Sequence, residues 1–241
     1  ALMISEWMTP NPVSVSSSET VSAALDRLGG FRHIAVVDDG LVGYLHVTDL
    51  QHADPTVAVG SLALQPALTL PSTGSVEEAL QRLRASRHDA LWIVDDVLVG
   101  VFTEHDAARV AERRIEADAL LESVASVPVE TITGNTTVSE ALDFLARHWV
   151  RHLPVVSADG ALIGMLSWRD LEGSDPARPV GELATRAPWT ATWQTPLREV
   201  ARMMVSQHVG AIPILESDGS LAGIATRVDL MRAVVATQEV S

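Results

Sequence analysis

Apolar positions along this chain change period in a fixed order, and the order recurs four times. A pair at i, i+3 comes first: Ile4 and Trp7, Val59 and Leu62, Leu121 and Val124, Val180 and Leu183. That spacing predicts a short helical turn. Eleven residues after each first member stand Val15, Leu70, Ile132 and Ala191. Each closes a three-residue run with Ser or Thr in the middle: Val13-Ser14-Val15, Leu68-Thr69-Leu70, Glu130-Thr131-Ile132 and Trp189-Thr190-Ala191. These read as short strands, entered from loops through Pro10, Pro12, Pro66, Pro128 and Pro188.

The period then lengthens to that of a helix, as in Val21, Ala24, Leu25 and Leu28 or Val138, Ala141, Leu142 and Leu145. The helix starts are marked chemically. Ser75-Val76-Glu77-Glu78 and Thr137-Val138-Ser139-Glu140 have the capping-box pattern, Thr20 caps without the Glu, and Thr195-Pro196 predicts Pro at the first helical position. Four apolar runs follow: Ile34–Val37, Leu91–Val94, Leu153–Val156 and Ile212–Leu215. Continuous apolar runs of this length suit strands buried on both faces. Turns such as Asp38-Asp39-Gly40 and Asp218-Gly219 lead into a third strand.

That third strand ends in one frame: Gly, two residues, a small hydroxyl, two residues, Asp. It occurs as Gly223 to Asp229 with Thr226, Gly164 to Asp170 with Ser167, Gly100 to Asp106 with Thr103, and Gly43 to Asp49 with His46 replacing the hydroxyl. A frame repeating at a near-constant period of about 60 residues marks a repeat architecture. Each unit is β-α-β-β-α, with the frame Asp opening the closing helix, where the helix dipole favours a carboxylate. Residues 51–58 and 172–179 are short Pro-containing links. Residues 107–122 place Ala107, Val110, Ala111, Ile115 and Leu120 at helical spacing, with Arg109, Arg113 and Arg114 off that face. This predicts a longer helix joining two halves. The expected units are 1–54, 55–112, 113–174 and 175–241, grouped as first with second and third with fourth.

Composition narrows the function. No apolar run among the 241 residues approaches the ~18 needed to span a bilayer. No basic-then-apolar leader opens the sequence, and a cytoplasmic location is expected. The absence of cysteine excludes disulfides, thiolate metal sites and a cysteine nucleophile. A net charge of −14 disfavours nucleic acid and anionic membranes as partners, yet permits one small phosphorylated ligand in a locally basic pocket. No nucleophile has a base in sight and no Gly-rich loop suits a phosphate, so no catalytic residue is assigned and an enzyme is not expected. The eight histidines show no ligand spacing along the chain, so no metal site is expected either. Trp7, Trp149, Trp189 and Trp193 read as packing anchors at repeat edges.

The Leu-Pro-Val-Val and Ile-Pro-Ile-Leu strands, the Asp-Gly turn and the Gly-x-x-Ser/Thr-x-x-Asp frame, four times in one order, resemble the CBS domain, named after cystathionine β-synthase. In layout the four units resemble the γ subunit of AMP-activated protein kinase. The resemblance implies an α/β fold of α+β repeats. Four CBS β-α-β-β-α units would form two pseudo-symmetric Bateman pairs in a flat disc. It also implies adenosine ligands in clefts between paired units, with the frame Asp on the ribose, the frame hydroxyl near ribose or phosphate, and the neighbouring unit's first two strands around adenine and phosphates.

Carried over residue by residue, Thr226, Arg227 and Asp229 would face Thr131, Val150, Arg151 and His152. Ser167 and Asp170 would face Thr190, Gly210 and Ala211. Thr103 and Asp106 would face Ser14, Arg32 and His33, and His46 and Asp49 would face Thr69, Asp89 and Ala90. The cleft of Asp229 is the first choice, because Arg151 offers a planar fork to phosphate oxygens and Arg227 adds a second cation. The cleft of Asp106 is second, weakened by Glu104. That of Asp49 is poor, with Asp89 where Arg32 and Arg151 stand in the first and third units. The cleft of Asp170 lacks the Arg-His pair, but Gly210 lets a ligand approach the backbone there, which suits adenosine or S-adenosylmethionine.

The expectation is a regulatory, energy-sensing module for AMP, ADP or ATP, with a second copy of the chain or an effector protein as partner. The alternatives are an S-adenosylmethionine sensor and a ligand-free scaffold that only dimerises.

Overall fold

The computed structural model describes residues 2–86, 88–116, 119–148 and 150–238. Trp149 therefore lies outside the described residues. The chain divides into two compact units, Ala1–Ala107 and Ala108–Ser241, a division that falls within the closing helix of the second copy, so that the first unit is built on copies one and two and the second on copies three and four.

In the first unit, β1 (Thr9–Pro10) and β2 (Ser14–Val15) precede α1 (Val21–Leu28), β3 (His33–Val37), β4 (Leu41–His46) and α2 (Val47–Gln51). The second copy supplies β5 (Thr69–Leu70), α3 (Val76–Ala85), β6 (Ala90–Val94), β7 (Leu98–Thr103) and α4 (Glu104–Arg114). The second unit repeats the plan with β8 (Ile132–Thr133), α5 (Val138–His148), β9 (His152–Val156), β10 (Leu162–Ser167) and α6 (Trp168–Leu171), then α7 (Leu197–Ser206), β11 (Ala211–Leu215), β12 (Leu221–Thr226) and α8 (Arg227–Gln238).

The expected β-α-β-β-α order is present in each copy. The first strand runs parallel to the second (Ser14 opposite Ala35, Thr69 opposite Trp92, Ile132 opposite Val155), with the helix as crossover. In the fourth copy it shrinks to one parallel bridge, Ala191 with Ile214. In the third it starts at Ile132, so Glu130 and Thr131 precede the strand expected to contain them. The second and third strands form an antiparallel hairpin. The register slips by one residue just before the frame glycine in every copy, leaving Val42, Val99, Ile163 and Ala222 as bulges. A bulge bends and twists its strand, and here it precedes the stretch ending in hydroxyl and Asp.

Why the frame needs glycine at Gly43 and Gly164 is visible in the crossing chain, whereas at Gly223 the obstacle is Trp193 of the same copy. In each pair, a segment of one copy lies along the third strand of the other. Thr9 and Pro10 pair with Val101 and Gly100, Gln65 bridges Tyr44, Ser126 bridges Ile224, and Thr185 bridges Met165. A Cβ on Gly43 would stand 2.7 Å from the Gln65 carbonyl oxygen, and one on Gly164 3.0 Å from that of Thr185. The pairing also hides apolar surface. Ala35 and Tyr44 of the first copy pack with Ala90, Trp92 and Val101 of the second, and Met165 packs with Ala211 and Ile224. Covering a large apolar side chain contributes about 1.5–3 kcal/mol, so a single copy would forfeit its inner face.

The helix starts follow the cap chemistry. Ser75 Oγ accepts from the Glu78 N–H at 3.1 Å, Thr20 Oγ1 from Ala23 at 3.3 Å, and Thr137 with Glu140 forms the reciprocal box. Pro196 sits one position earlier than expected, as the residue before α7, whose first helical residue is Leu197.

Three other expectations change. The helix expected across 107–122 ends at Arg114. There Arg198 Nε donates to the Ile115 carbonyl at 2.9 Å, claiming a helix-end acceptor. Leu120 beyond it is 63% exposed, although Ala107, Val110, Ala111 and Ile115 are buried as the spacing requires. Trp189 is 52% exposed, whereas Trp7 is buried and Trp193 Nε1 donates to Glu216 at 3.0 Å.

Candidate ligand-binding site

All four frames are helix caps. The Asp49 carboxylate accepts from the His46 N–H at 2.7 Å, Asp106 from Thr103 at 3.0 Å, Asp170 from Ser167 at 2.6 Å and Asp229 from Thr226 at 2.8 Å. In the three hydroxyl frames the side-chain O–H donates to the same carboxylate oxygen, at 3.1, 2.7 and 2.7 Å respectively. One oxygen of each of these Asp residues is thus committed to the frame, and the second remains for other work. In Asp106 it accepts from Thr9 Oγ1 at 3.2 Å, a residue of the crossing segment that reading the frame alone does not reveal. In Asp229 it accepts from the Arg232 guanidinium at 3.2 Å. Asp106 and Asp229 are each 2% exposed, while Asp170 is open to solvent. Burial pushes the Asp229 carboxyl above the usual range, against the lowering effect of Thr226 and Arg232.

In the second unit the Arg151, His152 and Arg227 side chains act on one another. His152 is pushed down to about 4, first by desolvation, then by the Arg227 and Arg151 guanidiniums. Two cations thus bear on one neutral imidazole. The backbone supports the arrangement: Arg227 N–H donates to the Gly210 carbonyl at 3.1 Å, and Trp168 N–H to that of Arg151 at 3.1 Å. The His152 ring lies against Gly210, where an added Cβ would stand 2.5 Å from Nε2. The approach to backbone expected at Gly210 is therefore taken by His152. Ala211 is buried between the copies and Thr190 is exposed. Val150 is partly buried and packs on the third copy's own core. Thr131 lines a shallow depression of about 360 Å³ with Val129, Val156 and Leu221, at the opposite end of β12 from Thr226.

In the first unit Arg32 is exposed, Ser14 and Thr103 are half-buried, and Arg32 contributes its carbonyl to the Val47 N–H at 2.7 Å. His33 is drawn to His46, its cross-strand partner in the β3–β4 hairpin, and to Asp89 of the second copy. The histidines do form one cluster, which chain spacing does not reveal because it joins a hairpin to a neighbouring copy. Tyr44, beneath it, bonds through its hydroxyl to His88 Nδ1 at 3.1 Å. Thr69 is exposed and Ala90 buried.

Comparison with known proteins places this architecture. The CBS domain model matches residues 4–55, 59–113, 121–173 and 180–236. The chain belongs to the CBS domain family, with four domains in two tandem pairs. Among solved structures it is similar to protein MJ1225 of Methanocaldococcus jannaschii, described as a candidate archaeal homologue of the AMP-activated protein kinase γ subunit. The TM-score is 0.78 and the identity 20%, over 96% of this chain and 99% of that one. An uncharacterized conserved protein of Pyrococcus horikoshii superposes with a TM-score of 0.71 at 24% identity, over 97% and 100% of the two chains. Both likenesses concern the fold. In sequence, the uncharacterized protein MJ1404 of Methanocaldococcus jannaschii is 27% identical over 96% of this chain, which spans 61% of that protein. The L-aspartate semialdehyde sulfurtransferase of the same organism is 24% identical over 66% of this chain, which spans only 32% of it. No helix among the described residues is long and apolar enough to cross a membrane.

Proposed function

We propose that the protein is a regulatory module that binds an adenosine nucleotide and passes its occupancy on as a change of conformation. The observation that carries this reading is the Arg151–His152–Arg227 cluster of the second unit. Phosphate oxygens take bidentate bonds from guanidinium, and a neutral imidazole within the influence of two cations adds a donor without adding repulsion. The nearby Asp229 supplies the ribose acceptor. Its Oδ2 stays with the frame, and its Oδ1 exchanges the exposed Arg232 for a ribose hydroxyl. Thr226 and the backbone of Val150 complete the cleft. The cleft of Thr103, Asp106, Ser14, Arg32 and His33 is the second candidate. That of Ser167, Asp170 and Thr190 lacks the two guanidiniums, and His152 and core packing occupy its Gly210 and Ala211, so it suits at most a ligand with little phosphate charge, such as S-adenosylmethionine.

One observation favours a ligand-free scaffold instead: Asp106 and Asp229 already have partners on both oxygens. A thermal-shift series with AMP, ADP, ATP, S-adenosylmethionine and GMP separates the two. A ligand at 100 times its dissociation constant adds about 2.7 kcal/mol of stability. A shift with adenylates that disappears in Arg151→Ala is expected. A flat response across the series overturns the proposal in favour of the scaffold.

A further inference from the structure

The repeat pattern is broken at two positions of the first unit. His46 stands where the other three frames have Thr103, Ser167 and Thr226, and Asp89 stands before the second strand where the corresponding residues are Arg32, Arg151 and Gly210. Nothing about their separation in sequence links them. In the structure both departures fall at one point. His33 Nε2 lies 3.1 Å from Asp89 Oδ1, and the His33 and His46 rings meet edge to face with centroids 5.2 Å apart. One nitrogen from each imidazole and one Asp89 oxygen all lie within 4.8 Å of one another.

We propose that His33, His46 and Asp89 form a binding site for a divalent first-row transition-metal ion, with Zn²⁺ as the natural probe. Two imidazoles and a carboxylate are a donor set that such ions accept, whereas Mg²⁺ and Ca²⁺ demand oxygen. Ligands about 2.0–2.2 Å from one tetrahedral ion stand roughly 3.3–3.5 Å apart. The His33–Asp89 separation is already close to that, and the remaining atoms need to close by little more than an ångström. The surroundings suit an ion shielded from bulk water: His46 is 5% exposed, and the His33 and Asp89 side chains are 12% and 20% exposed. His46 also has the orienting partner that ligating imidazoles need. Its Nδ1 lies 2.8 Å from Thr48 Oγ1 at the start of α2. That nitrogen also accepts the Thr48 N–H at 3.2 Å, so an ion on Nε2 requires the tautomer in which Nδ1 gives up this cap and donates to the hydroxyl, which then fixes the ring. This site does not depend on the adenylate reading: His46 and Asp89 belong to the cleft least suited to phosphate, and His33 is shared with the second candidate cleft, not the first.

The test is calorimetric titration of the whole EDTA-treated chain with ZnCl₂, repeated for His33→Gln, His46→Gln and Asp89→Asn. His148→Gln serves as control, because His148 with Glu130 is a surface pair at 3.4 Å in the other unit. One ion per chain is expected, bound at least about tenfold more weakly in each of the three variants, unchanged in the control and absent with MgCl₂. Co²⁺ in place of Zn²⁺ should give visible absorption bands of an imidazole-carboxylate complex, lost in Asp89→Asn. His33→Gln and Asp89→Asn leave every helix cap intact, so their weakening cannot be ascribed to a lost cap. No stoichiometric binding, or equal binding in wild type and both of these variants, overturns the assignment.

Discussion

His152 fills the space that Gly210 leaves by having no side chain: a Cβ there would stand 2.5 Å from the imidazole Nε2 and 2.7 Å from Cε1. His33 and Asp89 are the corresponding two residues of the first unit, and they meet at 3.1 Å. The same junction between paired copies is therefore filled by close packing in one unit and by a polar contact in the other. Gly210→Ala is expected to destabilise the chain by about 1–3 kcal/mol, as overpacking does. The cost should largely vanish in a His152→Ala background, a coupling that a double-mutant cycle in urea measures directly. Additive effects would mean that the ring moves aside freely.

The same imidazole sets a pH dependence. Its folded-state value is depressed to about 4 by desolvation and by Arg227 and Arg151, while the unfolded chain titrates near 6.5. The folded state is therefore undisturbed above pH 6.5 and loses stability as pH falls from there towards 4, where the unfolded chain alone takes up the proton. Between pH 7.5 and 5, wild type should lose on the order of 2 kcal/mol more than His152→Gln. Asp229, whose carboxyl is raised by burial, works in the opposite sense, with its stability contribution lost as pH rises through its folded value. Both chains contain it, so the difference between their urea midpoints at the two pH values isolates His152. Parallel losses would show that the ring is not desolvated.

Frame glycines should differ in what they tolerate. At Gly43 the obstacle to a Cβ is the Gln65 carbonyl, which accepts from the Tyr44 N–H at 3.0 Å while the Gln65 N–H donates to the Tyr44 carbonyl at 2.9 Å. At Gly100 it is the Met8 thioether, the far end of a flexible side chain. Gly43→Ala should therefore lower the thermal midpoint substantially, and Gly100→Ala only slightly. Equal midpoints for the two variants would remove the crossing segment as the reason for the glycine.

Much of this was legible in the sequence because it is periodic. The i, i+3 pairs, the cap residues and the Gly-to-Asp frame each occur four times, so local order could be read by superposing the copies. What periodicity cannot show is contact between copies. Thr9 is two residues beyond Trp7 in sequence and reaches Asp106 only because its segment pairs with β7. His33, His46 and Asp89 meet for the same reason, across a hairpin and a copy boundary. The helix after Glu104 was expected to run too far because Leu120 matches the apolar spacing, while the residue that ends the helix, Arg198, comes 83 positions after Ile115.

The two roles of Asp229 can be separated by choosing the substitution. Asp229→Ala removes the acceptor for both the Thr226 N–H and its hydroxyl, and loss of such a cap costs about 0.5–2 kcal/mol. A fall in ligand affinity in that variant would not distinguish ribose contact from a loosened α8. Asp229→Asn keeps one carbonyl oxygen for the frame and gives up the charge and the second acceptor, while the exposed Arg232 loses an ion pair worth only about 0–1 kcal/mol. Folding should be nearly unchanged. A charge-assisted hydrogen bond to ribose contributes about 1.5–3 kcal/mol, so AMP affinity in Asp229→Asn should fall roughly 10- to 150-fold by calorimetry. If Asp229→Asn binds as tightly as wild type and only Asp229→Ala is weakened, the carboxylate is a helix cap and the ribose is held elsewhere.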